Sequence, residues 1–369
     1  MNRNSALASC FSALSTLALL MPTPSRADDA AASAAAGGIQ LRHEPRISME
    51  KERLTISEKK ITVEFEFLNE SDSNITTEVA FPVPLFSAFE SDCGPRSSFE
   101  DLRIWIEGKE IKYSAQDQAL LGGTDYSDLL RGAGLRIGTF ANYWDKTCAG
   151  ESKDFQIPHL SPERKARLLQ LGLISKDNFP KWKVKRLYHW TQNFPAHRLL
   201  HVRHEYEPVV GYQFYPPQEL QLDALDQALK KAQQSTQADP NGDGQWDTKM
   251  VEPYVNACIE PSLINRLTEA AHRKGTDPKS WGGQFVSTMW IDYILTSANT
   301  WKTPIKDFEL IVERPASANR SKWFVNLCWD GPITRLDENH FSAKAENFVP
   351  KRELTVLFLA NIPEPPSAH

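Results

Sequence analysis

Apolar and polar residues alternate through much of the chain. Ile61, Val63, Phe65 and Phe67 are interleaved with Thr62, Glu64 and Glu66, the period of a strand with one buried face. The polar run from Asn69 to Asn74 predicts a turn. Ile75, Thr77, Val79 and Phe81 then resume the alternation until Pro82 and Pro84 stop it. Leu102, Ile104 and Ile106 lead into Glu107-Gly108, and Ile111 and Tyr113 return, which predicts a hairpin. Residues 39–120 therefore read as an antiparallel β domain of the sandwich type.

The period changes in residues 121–181, a predicted helical connection. One helix is expected within Tyr126 to Leu135. A clearer one runs from Lys165 to Leu173, with Ser161 as its cap and Pro162 at its first position. Residues 182–360 return to strands, beginning with Lys183 to Phe194 and Leu199 to Val210, joined around Pro195-Ala196. A helical insertion over 218–275 carries apolar spacing at Glu219 to Gln233 and Ser262 to Arg273. Five more strands are expected at Gln284–Thr296, Ile305–Val312, Lys322–Asp330, His340–Asn347 and Glu353–Ala360, before a tail at 361–369. The predicted class is mainly β (α+β): antiparallel sandwich-like domains with inserted helices.

The N-terminus has a different pattern. Arg3 precedes an uncharged apolar stretch from Ala6 to Met21, and Ser25 and Ala27 stand three and one residues before a cleavage point. Residues 1–27 read as a signal peptide, and the Ala-rich residues 28–38 as a flexible leader. Leu7-Ala8-Ser9-Cys10 resembles a lipobox, but the apolar run before Cys10 is too short for one. The expected product is exported to the periplasm or medium, without a membrane-spanning segment.

Cleavage would remove Arg3 and Arg26, so the net charge of −5 becomes −7. An acidic chain with no basic block excludes nucleic acid as a natural partner. Beyond Cys10, the cysteines are Cys93, Cys148, Cys258 and Cys328. In an oxidising compartment an even number predicts two disulfides, with three pairings open. None of the spacings suits zinc or a redox pair.

One motif suggests a metal. Asp239, Asn241, Asp243, the Gln245 carbonyl and Asp247 occupy the oxygen-ligand positions of an EF-hand-type loop, with Gly244 at its turn. Met250 stands where the loop's terminal acid belongs, and Pro253 interrupts the exit helix. The role expected of calcium here is structural, and no cofactor is required.

His197, His201 and His204 do not form a chelating set on a strand. His201 and His204 point to opposite faces, and His197 lies roughly 13 Å from His201. His189 is the candidate cross-strand neighbour of His201. No nucleophile elbow, phosphate loop, zinc-protease motif or dinucleotide fingerprint is present, so no catalytic residue is assigned. Of the tryptophans Trp144, Trp182, Trp190, Trp281, Trp290, Trp301, Trp323 and Trp329, the last two share the apolar face of one strand and are expected in the core.

Three stretches carry a family resemblance: "ISMEKERLTISEKKITVEFEFLNESDSNITTEVAFPVP", "YHWTQNFPAHRLLHVRHEYEPVVG" and "FVNLCWDGPITRLDENHFSAKAENFVPKRELTVLFL". They resemble the bacterial exported domain-of-unknown-function family numbered 4424, over about residues 37 to 360. The resemblance implies export and a mainly β fold, and it brings no activity. Residues 218–257 match nothing in that pattern and read as an insertion. "YVNACIEPSLINRL" and "FVNLCWDG" both look like family segments, so the resemblance favours Cys258–Cys328, leaving Cys93–Cys148.

The leading expectation is a non-enzymatic binding or structural accessory module of the envelope, with a protein or extracellular polymer as partner. The alternatives are an exported hydrolase assembled from distant residues and a calcium-stabilised interaction protein. A binding role predicts an exposed aromatic or apolar patch on a sheet face. An enzyme predicts a deep pocket with converging titratable groups.

Overall fold

A computed structural model describes residues 30–35, 38–89, 99, 101–138, 160–215, 227, 230–231, 234, 251–272, 285–316 and 323–362. It is mainly β, with antiparallel sheets and a few helices, as the alternation predicts.

A seven-stranded sheet contains β1 (Ala30–Ala35), β2 (Gly38–Leu41), β5 (Ile75–Pro82), β6 (Phe86–Ser87), β9 (Ser114–Leu121), β10 (Thr124–Asp125) and β11 (Lys183–Phe194). An eight-stranded sheet contains β3 (Ile47–Ile56), β4 (Ile61–Asn69), β7 (Arg103–Ile106), β8 (Lys109–Ile111), β12 (Leu199–Tyr206), β15 (Ile305–Glu313), β17 (Ile333–Arg335) and β18 (His340–Phe348). A four-stranded sheet contains β13 (Val210–Tyr215), β14 (Phe285–Tyr293), β16 (Phe324–Leu327) and β19 (Leu354–Ile362).

The two larger sheets pack face to face. Phe67 of β4 meets Phe194 of β11 edge to face, with ring centroids 5.9 Å apart. Phe67 also lies 4.7 Å from Trp301, and Phe81 of β5 lies 5.2 Å from His204 of β12. These rings belong to one continuous core, which is the burial that holds a sandwich together.

The chain changes sheet between β4 and β5, and again between β11 and β12. Buried Asn69 ties the two corners together. Its amide donates to the Ser73 and Phe194 carbonyls at 2.8 and 2.9 Å, and its own carbonyl accepts from the His197 backbone N–H at 2.9 Å. The β11–β12 connection is therefore a crossing between sheets, not a hairpin. His189 and His201 consequently lie in different sheets and do not meet.

Two expectations about organisation also change. Within the stretch 28–38 expected as a flexible leader, residues 30–35 form β1, which pairs with β5 and β2; Ala30 stands opposite Ala80, and both are fully buried. A run of alanines can pair within the sheet, between β5 and β2, but it leaves no alternation to read. The regions 39–120 and 182–360 do not keep separate sheets. β15 pairs in parallel with β3, and β12 pairs with β4.

The four-stranded sheet is covered on both faces. Leu354, Val356, Phe358 and Ala360 of β19 enter the main core. Leu357 and Leu359 point the other way, into a second cluster with Tyr254, Leu263, Ile264 and Leu267. Those last residues come from a helical stretch at 251–256 and from the helix Pro261–His272. Two-sided burial explains why β19 reads as a nearly unbroken apolar run. Cys258 and Cys328 are disulfide-bonded, with Cα atoms 4.9 Å apart, and clasp this helical layer to the end of β16.

The remaining helices are α1 (Ser127–Gly132) and α2 (Pro162–Gln170), with Pro261–His272 as α3. In α2, Ser161 Oγ accepts from the Arg164 backbone N–H, which makes it the predicted cap.

Candidate binding face

The outer face of the eight-stranded sheet is built by strand register. Residues directly opposite one another on adjacent strands share a face. One such row runs Lys344, Glu309, Arg53, Glu64, Arg203, Trp105, Glu110 across β18, β15, β3, β4, β12, β7 and β8. The next row runs Glu346, Asp307, Lys51, Glu66, His201. Each position alternates with a buried neighbour such as Leu54, Val63, Phe65 or Val202. The signs of charge alternate from Lys344 to Arg203 in the first row and from Asp307 to Glu66 in the second, so those cross-strand pairs attract, whereas Glu346 and Asp307 set two acids opposite each other. Lys344 Nζ lies 3.2 Å and Arg53 Nε 3.4 Å from the Glu309 carboxylate, and Arg103 Nη2 lies 2.8 Å from Glu110.

A groove of about 480 Å³ runs over this face between Lys51, Arg53, Glu64, Glu66, His201 and Arg203. Trp105 lies against it, half-buried. The guanidinium carbon of Arg103 is 4.6 Å and that of Arg203 is 5.1 Å from the indole centroid, within cation–π range. One end is closed by the predicted Glu107-Gly108 turn, in which both residues adopt positive φ, as a tight two-residue hairpin requires. The Glu107 carboxylate accepts from the His201 backbone N–H at 2.7 Å, pinning the turn to β12. The arrangement presents hydrogen-bond donors, acceptors and one aromatic surface over several strands.

Trp105 is absent from the sequence-based candidates. A signal for it does exist: it stands between Ile104 and Ile106, so inward burial of those two turns it outward. Trp182, Trp190, Trp301 and Trp323 are buried, while Trp329 packs half-buried against Phe308 and Phe348. Trp144 and Trp281 lie outside the described residues.

His201 and His204 point to opposite faces. His201 is exposed, 3.8 Å from Glu66. His204 is buried among Phe65, Phe81 and Trp190, and burial pushes its pKa down to about 3. On the outside of the seven-stranded sheet, His189 Nδ1 lies 2.6 Å from Glu78 Oε1 and Ser114 stands directly across from His189.

Among the described residues, no group of His, Cys, Asp and Glu is placed to hold a metal ion. The calcium candidates Asp239, Asn241, Asp243, Gln245 and Asp247, the cysteines Cys93 and Cys148, and the proposed signal peptide lie outside the described residues. Among the described residues no helix is long and apolar enough to cross a membrane.

The family model described as Domain of unknown function (DUF4424) matches residues 27–357. The chain belongs to the DUF4424 family. No curated protein matches it. Solved structures that resemble this DUF4424 protein include a candidate nutrient-binding protein of Legionella pneumophila subsp. pneumophila str. Philadelphia 1. That protein is 11% identical, with a TM-score of 0.39 over 91% of this chain and 72% of its own. Likeness at that level carries no argument about function.

Proposed function

We propose that this DUF4424 protein is an exported, non-enzymatic binding module of the cell envelope, and that the groove beside Trp105 receives its partner. The observation that carries this reading is the Trp105 indole held between Arg103 and Arg203 on a sheet face of alternating charge. Aromatic and arginine side chains concentrate binding energy at interfaces, and an ordered row of opposite charges fixes register. The partner is a segment of an envelope protein or of an extracellular polymer with charged and hydroxyl groups. Export rests on the sequence pattern of residues 1–27.

The test is co-sedimentation of the purified mature chain with an insoluble envelope fraction. The wild type, Trp105→Ala and Arg203→Glu are compared. The expected result is a loss of about tenfold or more in retained protein for each variant, the size of a modest hot spot. Equal retention of all three would reject the groove as the binding face.

A hydrolase is a second reading, favoured by one observation: His189 is oriented by Glu78 and faces Ser114. A base held by a carboxylate beside a hydroxyl is the arrangement of a nucleophilic catalyst. Loss of an ester- or amide-cleaving activity in Ser114→Ala would support it. Unchanged activity would sink it.

A further inference from the structure

A small cavity of about 130 Å³ lies where the three sheets meet, between the Pro82–Phe86 corner, residues 206–209 and the end of β14. Its walls include Phe86, Phe99, Tyr206, Trp290 and Tyr293. The single carboxylate among its described lining residues is Asp292. Acid and aromatics come together through long-range packing. Trp290 and Asp292 share a face of β14, Tyr206 ends β12, and Phe99 stacks on Tyr206 with centroids 4.2 Å apart.

The wall at Trp290 is set by its neighbour. Gly211 is its direct partner on β13, and a Cβ there would fall 1.9 Å from Trp290 Cε2. Only glycine lets the indole lie across the strand. Asp292 is oriented as well. Thr355, opposite it on β19, donates to Asp292 Oδ1 at 2.6 Å, and among the described residues Oδ2 has no hydrogen-bond partner.

Asp292 is open to solvent but stands in a concavity hemmed in by protein. That crowding is the main force raising its pKa to about 6. The Thr355 bond opposes the rise, and the charge of Glu252 adds to it. At neutral pH the carboxylate is therefore ionised in a place that disfavours its charge, and a counter-cation would relieve that cost. The aromatic side chains add an apolar, polarisable wall suited to a cation with an apolar body.

We infer that this cavity binds a small organic ammonium ion, with its charge on Asp292 and its carbon groups against Trp290, Tyr206 and Phe99. A size of 130 Å³ gives room for roughly four water-sized groups at about 30 Å³ each, which suits a methylated ammonium or short alkylamine. The site is separate from the groove beside Trp105 and does not depend on it.

The experiment is calorimetric titration of the full mature chain with tetramethylammonium, and with tert-butanol as a neutral probe of similar bulk. Wild type and Asp292→Asn are compared, with Trp290→Leu as a second variant. Tetramethylammonium should bind the wild type and tert-butanol should bind about tenfold or more weakly. Asp292→Asn should lose about tenfold in ammonium affinity, and Trp290→Leu severalfold. A far-ultraviolet spectrum matching the wild type establishes that each variant is folded. Equal ammonium affinity in wild type and Asp292→Asn, or no ammonium binding to the wild type, would overturn the inference.

Discussion

The four-stranded and eight-stranded sheets solve the same burial problem in opposite ways. In β4, Ile61, Val63, Phe65 and Phe67 face the core while Glu64 and Glu66 face water. In β19, Val356 and Phe358 face one apolar cluster while Leu357 and Leu359 face another. The first sheet keeps a wet face, where charged rows and a tryptophan form a groove. In the second, β19 is covered on both faces, and an exposed carboxylate, Asp292, stands near the end of the neighbouring strand β14. Room for recognition therefore lies over several strands on one sheet and in one small cavity beside the other.

Truncating one side chain on each sheet separates the two arrangements. Phe358→Ala should cost about 3–5 kcal/mol in urea unfolding, because a fully buried ring leaves a cavity. Glu64→Ala on the wet face should stay within about 0.5 kcal/mol. Comparable losses at both positions would erase the distinction. Next in size, replacing Cys258 and Cys328 with serine should cost about 2–4 kcal/mol, since the bond closes a sequence separation of 70 residues. An unchanged urea midpoint would mean that the helical layer holds to the sheet without its clasp.

A third prediction concerns the inner face of the eight-stranded sheet. Burial lowers the His204 pKa from 6.5 to about 3, so the unfolded chain takes up a proton that the folded chain refuses. The stability tied to neutral His204 is complete above pH 6.5 and is lost as pH falls from there toward 3. In His204→Phe this loss should vanish, flattening the fall in stability by about 1.4 kcal/mol per pH unit between pH 6 and 4. Parallel pH profiles for wild type and variant would contradict it.

The smallest expected effect is that of calcium on the Asp239–Asp247 segment, which we propose as a structural site. Calcium at about five times its Kd should add about 1 kcal/mol, read as a rise in Tm over a chelated sample. Superimposable melts would remove the proposal.

Much of the wet-faced sheet was legible because its signals are local. The alternation over Ile61–Phe67 and the Glu107-Gly108 turn each sit within a few residues, and Ser161-Pro162 announces α2 in the same way. The apolar run of β19 was visible as a strand, but nothing local says what covers its two faces. β1 was hidden because alanines carry no contrast between faces. The sheet crossing at Pro195-Ala196 was hidden because Asn69, which fixes it, is remote in sequence. The groove needed cross-strand register to place Arg203 beside Trp105, and the cavity needed three sheets to bring Phe99 and Tyr206 to Asp292.

Hydrogen exchange in the presence of the envelope fraction reads the occupancy of the wet face strand by strand. If the wet face is the binding surface, amides of β4, β7 and β12 around Glu64, Trp105 and Arg203 should slow on binding, and Trp105→Ala should abolish that change. Protection confined to other strands, with these three unaffected, would contradict it.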